Sequence, residues 1–278
     1  MLKDVEVIVF DLDGTLYEDI HHFDHYADLL GEKLDLISRK SFEKDYQSFK
    51  EGRLPLKIGT VYDVENDLVL IQKNGHVLEA FEWSGAKVSK EKVSELYPQE
   101  IVFDFHSMLN VGDLWWVPVS IARHYGLSSE LAHQAFLQTR EYMMTPEFQM
   151  QEIQGFKEVL QSLSRTKKLV LFTNSPQKDS EVIVTKLGFM DYFDYKIFDG
   201  RKPVKTERAL RKISEHYDVP FSKILSIGDN AINEIYPARK MGCQTILIDG
   251  HEYGDPSQAD YVVKNIAGVV ELLEGIEG

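Results

Sequence analysis

A short apolar run from Val5 to Phe10 ends abruptly on a carboxylate, VEVIVF being followed directly by DLDGTLY. β-Branched and aromatic residues at this density, over so short a length, predict a strand buried on both faces of a parallel sheet. Asp11 and Asp13 flank a single leucine, and Gly14-Thr15 supplies backbone freedom where the strand breaks into a turn. Open α/β sheets build their sites at the carboxyl ends of their strands, which is where these two acids stand. An isolated Asp-x-Asp-Gly reads equally well as a turn that closes a strand. Three later apolar runs decide against that, because each also ends in polar groups suited to phosphate chemistry.

The chain has 278 residues, 43% of them hydrophobic and 27% charged, enough for a substantial core in one large or two smaller domains. A net charge of -14 argues against general binding to nucleic acid or an anionic membrane, since both would be repelled. It leaves a small phosphorylated ligand open, because a bound divalent cation can reverse the local field. The single cysteine, Cys243, excludes an intramolecular disulfide and fits a buried thiol in a reducing compartment. With no secretory h-region and no run approaching a membrane span, the expectation is a soluble, cytoplasmic protein.

Residues 18–52 carry Phe23, Tyr26, Leu29, Leu30, Leu34 and Ile37 at helical spacing, which predicts two helices. His21, His22 and His25 share this stretch, and without further ligand spacing they read as solvated or substrate-facing. Between residues 54 and 84 the period changes to alternation, and Asn74-Gly75 sits between two apolar runs as a hairpin turn, so a small β-meander is expected. Residues 89–150 return to helical patterns, with Gly126 ending one helix and Ser128-Ser129 starting the next. Trp115, Trp116, Phe103 and Phe105 read as core, with one of the adjacent tryptophans free to line a cleft.

From residue 154 onward, strand and helix alternate. Lys168–Phe172, Phe193–Phe198, Lys223–Ile227, Gln244–Ile248 and Tyr261–Val263 are the expected strands, with a helix over Ala231–Met241. The pattern predicts an α/β fold, a doubly wound parallel sheet of Rossmann-like form. Residues 1–17 and 151–278 would form this core, and 18–150 an inserted, mostly helical cap domain holding the meander. Such an insertion is large enough to form its own lid.

Four strand ends therefore gather chemistry. The first gives Asp11 and Asp13, LVLF leads into Thr173-Asn174-Ser175, the strand ending near Phe198 precedes Lys202, and ILSIG leads into Asp229. A carboxylate pair, a hydroxyl with adjacent N–H groups, an ammonium and a third carboxylate are what phosphoryl transfer through an aspartyl intermediate requires. DLDGTLY, FTNS, Lys202-Pro203 and GDNAINE, in that order, resemble the four motifs of the haloacid dehalogenase (HAD) superfamily of phosphohydrolases. The insertion between the first and second motifs is similar to that superfamily's C1-type cap, and DLDGTLY with FTN looks most like its nucleotidase-like members.

The resemblance implies a role for each residue. Asp11 matches the nucleophile and Asp13 the general acid and base. Thr173 matches the hydroxyl that binds a phosphoryl oxygen, Asn174 stands beside it in the phosphate-binding set, and Lys202 matches the lysine that balances charge. Mg²⁺ would be held by the Asp11 carboxylate, the Asp13 carbonyl and Asp229. Where the fourth motif commonly has a second Asp, Glu234 stands as a longer metal-shell acid. Each position has a plainer competitor: Thr173 as a turn cap, Lys202 as a surface lysine rivalled by Lys205, and Asp229 as a helix N-cap.

The expected function is a Mg²⁺-dependent phosphatase acting on a small phosphomonoester, a nucleotide or sugar phosphate, through a phosphoaspartyl intermediate. The alternatives are a phosphomutase of the same superfamily and a non-catalytic phosphate- or metal-binding scaffold. A dinucleotide enzyme fits poorly, since no G-x-G-x-x-G follows the first strand. Tyr17, His21, His22, Trp116, Arg123 and Arg140 are candidates to contact a leaving group, the two arginines equally readable as surface charges. The cap, or its meander, could also support a homo-oligomer.

Overall fold

In the computed structural model, which describes residues 2, 4–104 and 106–276, the chain divides into two compact units. Residues 1–19 and 142–278 make the first, and residues 20–141 make the second. Phe105, read from sequence as core, lies outside the described residues.

The first unit is built on a six-stranded parallel sheet. Strand β1 (Val7–Phe10) is wholly buried, as its unbroken apolar sequence requires. The chain then leaves for the second unit, which contributes β2 (Thr60–Asp63), β3 (Leu68–Lys73), β4 (His76–Glu82) and β5 (Met108–Val111). It returns as β6 (Lys168–Phe172), β7 (Tyr195–Ile197), β8 (Ile224–Gly228), β9 (Gln244–Ile248) and β10 (Tyr261–Val263). The order across the sheet is β10-β9-β8-β1-β6-β7. The chain winds outward from β1 through β6 to β7, then crosses back to β8 on the other flank of β1. That reversal is the topological switch point at which doubly wound sheets bind ligands.

Register carries the strand ends to a common level. Phe10 pairs with Leu171 of β6 and with Ile227 of β8, so Asp11 stands level with Phe172 and Gly228. The Asp11 N–H donates to the Ile227 carbonyl at 3.1 Å, and Thr173 N–H to Ile197 at 3.0 Å, extending both ladders into the turns. Two of the expected strands are shorter than the sequence suggests: β1 begins at Val7, and β7 is trimmed to three residues. The helix expected over Ala231–Met241 opens as a π-helical turn, Ala231–Ile235, before the α-helix Tyr236–Lys240.

The second unit contains a four-stranded antiparallel sheet in the order β4-β3-β2-β5, with its helices Leu36–Lys50, Trp116–His124 and Ser129–Met144 among others. Asn74 and Gly75 connect β3 to β4 with φ of 53° and 82°, as the Asn-Gly pair predicts. The sheet differs from the expected meander at its β2 side. Residues 54–59 form no strand, and β5 is an additional member, paired with β2 from Thr60↔Val111 to Asp63↔Met108. Four residues lying in a stretch of helical composition carry no periodicity of their own, so only the pairing with β2 defines them.

One face of this sheet shares a core with the helices through Tyr62, Val69, Leu109, Val111, Ile121 and Leu127. Trp115 packs against that core, with His22, Phe23, Tyr26 and Phe136 rings within 5.4 Å of it. His22 is therefore buried, not solvated. Arg140 is buried as well, its guanidinium 5.6 Å from the Trp115 ring centroid, which overturns its reading as a surface charge. Arg123 donates to the carbonyls of Leu127 and His106, tying the helix end to its neighbours. Among the described residues, no helix is long and apolar enough to cross a membrane.

Cys243 is buried among Val7, Ile213, Ile224 and Ala238, and burial pushes its thiol up to about 12. At pH 8 almost none of it is thiolate, so a thiol reagent is expected to leave the native protein unmodified and to label one site per chain on unfolding. Stoichiometric labelling of the native protein at the rate of a free thiol would contradict this packing.

Candidate functional site

The centre of the carboxyl edge is a lysine buried between two acids. Lys202, 2% exposed, places its ammonium 2.6 Å from Asp11 Oδ1 and 2.7 Å from Glu234 Oε1, and donates a third hydrogen bond to the Phe172 carbonyl at 3.0 Å. All three ammonium hydrogens are thus engaged, each by the end of a different core segment. Burial alone would lower the lysine's pKa, but the two carboxylates outweigh it and hold the pKa above its ordinary value. Burial pushes the Asp11 carboxyl up, Lys202 opposes the push, and neighbouring Asp13 adds to it. The reading of Lys202 as a surface lysine fails on this geometry, whereas its rival Lys205 is exposed.

The segment carrying Lys202 is held by Asn174. The Lys202 N–H donates to Asn174 Oδ1 at 2.6 Å, and Asn174 Nδ2 donates back to the Lys202 carbonyl at 3.1 Å. Asn174, expected in the phosphate-binding set, has its amide engaged at both ends by the Lys202 backbone. Thr173 is buried, and its hydroxyl oxygen accepts the Ser175 N–H at 3.0 Å, which caps the turn after β6 without using the hydroxyl hydrogen.

Asp13 is held from two sides. Ser175 donates to Asp13 Oδ2 at 2.7 Å, and the Tyr17 hydroxyl donates to Oδ1. Tyr17, a candidate to contact a leaving group, is 1% exposed and lies in the first unit with its hydroxyl on Asp13. Sequence marks Tyr17 as a candidate leaving-group contact and Ser175 as part of the second motif, but neither as a partner of Asp13. The only signal was that both lie within the two motif stretches, and spacing cannot show which way a hydroxyl turns.

Asp229 follows β8 and lies against the turn after β1. Gly14 has φ of 73°, and a Cβ there would stand 2.2 Å from Asp229 Oδ2, so the position needs glycine both for its backbone and for the approach of the carboxylate. Tyr253 fixes the Asp229 segment, accepting the Ala231 N–H at 3.0 Å and donating to the Asp229 carbonyl at 3.1 Å. The helix N-cap is Asn230, whose side chain accepts from Asn233 N–H at 3.1 Å, so Asp229 is not spent on capping. Glu234, expected as a longer metal-shell acid, has both carboxylate oxygens engaged by protein groups. One of its oxygens contacts Lys202, and the other accepts the Asn230 N–H at 3.0 Å.

Among the described residues, no three His, Cys, Asp or Glu side chains are gathered as a ready-made metal cage. The donor set implied by the resemblance needs only two carboxylates, from Asp11 and Asp229, because its third protein ligand is the Asp13 carbonyl. All are hard oxygen donors of the kind Mg²⁺ takes. The local charge agrees: Asp11 and Glu234 together carry one more charge than the single ammonium between them, and Asp13 and Asp229 add to the excess. The residues fit a divalent cation.

The haloacid dehalogenase-like hydrolase model matches residues 5–242, and the chain belongs to that family. Over 124 residues it is 28% identical to a phosphoglycolate phosphatase of Vibrio vulnificus, a match covering 42% of this chain and 54% of the relative. A glyceraldehyde 3-phosphate phosphatase of Pyrococcus furiosus is 23% identical over 138 residues, covering 46% of this chain and 57% of the relative. The chain thus spans about half the length of the curated relatives it matches. Among solved structures, the HAD-hydrolase YfnB of Bacillus subtilis, bound to magnesium, has the same fold, with a TM-score of 0.55 at 14% identity over 98% of this chain and 99% of that one.

Replacing Lys202 by methionine leaves two buried carboxylates without their counter-charge. The expected loss of stability is about 3–5 kcal/mol, the usual cost of breaking a buried ion pair from one side. Denaturant unfolding of Lys202→Met against wild type measures it, and a loss below about 1 kcal/mol would show that the acids relax to solvent or take up protons easily.

Proposed function

We propose that this chain is a Mg²⁺-dependent phosphatase that hydrolyses a small phosphomonoester through a phosphoaspartyl intermediate on Asp11. The observation that carries the reading is the buried contact of Lys202 with Asp11 at the switch point of the sheet. A structural ion pair would gain more from apolar replacement than from burial, so its placement at the strand ends speaks for chemistry.

In this reading the Asp11 carboxylate attacks phosphorus while the bond to the leaving oxygen breaks. Asp13 gives its proton to that oxygen and then takes one from the water that cleaves the acyl phosphate. Lys202 keeps Asp11 oriented and offsets charge that accumulates around the transferring group. Thr173 supplies its hydroxyl hydrogen to a phosphoryl oxygen, and Asn174 acts through Lys202 by fixing its backbone. Asp11, the Asp13 carbonyl and Asp229 would hold Mg²⁺, which supplies charge neutralisation between anionic nucleophile and anionic substrate. Glu234 acts on the lysine side of the site.

The substrate class is a small phosphorylated metabolite. The Vibrio and Pyrococcus relatives are named for short phosphorylated acids and aldehydes, which adds these to the nucleotide and sugar phosphates suggested by the motifs.

The test is release of inorganic phosphate from a panel of such esters, with and without Mg²⁺. Wild type is expected to release phosphate only with the metal, and Asp11→Asn to lose at least about a thousandfold in kcat while unfolding at the same temperature as wild type. Turnover surviving in Asp11→Asn would eliminate the covalent route.

A further inference from the structure

We infer that Tyr17 and Ser175 are positioning residues for Asp13, a clamp that holds its carboxyl in one rotamer so that its proton is delivered to the leaving oxygen. The inference rests on the phosphatase reading above. Asp13 sits on the turn after β1, and two side-chain torsions separate its backbone from the reacting oxygen. One hydrogen bond would leave the carboxyl plane able to swing. Here the Tyr17 hydroxyl engages Oδ1 and the Ser175 hydroxyl engages Oδ2 at 2.7 Å, so both torsions are fixed.

The donors reach Asp13 from separate segments. Tyr17 lies four residues on in the same turn, and Ser175 comes from the loop after β6, itself fixed by the Ser175 N–H bond to Thr173. Both are buried, at 1% and 5% exposure, so water does not compete freely for either bond. Their chemistry also suits a group that changes state during turnover. A hydroxyl both donates and accepts, so it can stay bonded to a carboxylate and, after rotation, to a carboxylic acid. An ammonium or an amide N–H offers only the first, and would hold Asp13 in one state.

A clamp on the proton donor has a signature that a structural role lacks. Expulsion of p-nitrophenolate needs no proton, whereas expulsion of an alkoxide does. Tyr17→Phe and Ser175→Ala are each expected to lower kcat/KM for the best alkyl phosphate of the panel by about tenfold to a hundredfold. The value for p-nitrophenyl phosphate should stay within about threefold of wild type. In an Asp13→Asn background, Tyr17→Phe should cost nothing further on the alkyl ester, because the two act as a unit. Equal losses on both esters, or a full additional loss in the Asp13→Asn background, would overturn the clamp.

If wild type released no phosphate from any ester, or if Asp13→Asn matched wild type on the alkyl ester, the phosphatase reading itself would fall. The clamp then has a direct readout in a crystal structure of the Tyr17→Phe/Ser175→Ala double variant. Asp13 is expected there in more than one rotamer, and a single unchanged rotamer would refute the inference.

Discussion

The carboxyl edge of the sheet depends on one ammonium with two buried acids. An isolated charge at that depth would cost several kcal/mol, and Lys202 is tolerable only because Asp11, Glu234 and the Phe172 carbonyl take its three hydrogens. The converse holds for Asp11. Burial pushes its carboxyl up, and the lysine beside it opposes the push. Chemistry and packing are therefore not separable here: the lysine that opposes the upward push on Asp11 also joins the segments that follow β1, β6 and β8.

The surrounding hydrogen bonds make those ends one rigid body. Asn174 ties the turn after β6 to the segment of Lys202, Thr206 donates to the Asn233 carbonyl at 2.7 Å, and Tyr253 staples the Asp229 turn. Gly14 lets the first turn and Asp229 approach closer than any side chain would allow. Most of these partners are backbone groups. The loops are positioned by obligatory donors and acceptors, and the few side chains with chemical roles are left to face each other.

Much of this was legible in the chain itself. The parallel sheet followed from apolar runs alternating with helical stripes, and the four polar strand ends followed from where those runs stop. What the sequence could not assign was the direction of individual side chains. The spacing does not show that the Asn174 amide meets the Lys202 backbone, that a Glu234 oxygen meets the Lys202 ammonium, or that the Tyr17 hydroxyl meets Asp13. In each case residue type and spacing are right, but the partner lies in a loop far away in sequence, and only the closed fold decides between competing acceptors. Strand β5 was missed for a related reason, being defined by β2 and not by any pattern of its own.

The strand order has a consequence for how the chain acquires its structure. The second unit is continuous in sequence over residues 20–141, with its whole sheet inside that stretch, so its strands emerge from the ribosome together. Strand β1 is made first, yet its two neighbours begin only at Lys168 and Ile224. Through most of synthesis, the most apolar segment of the core waits without a partner while the later-made unit can already condense. Glu6 and Asp11, which bracket β1, are charges of the kind that keep a bare Val-Ile-Val-Phe strand from acting as a template for aggregation.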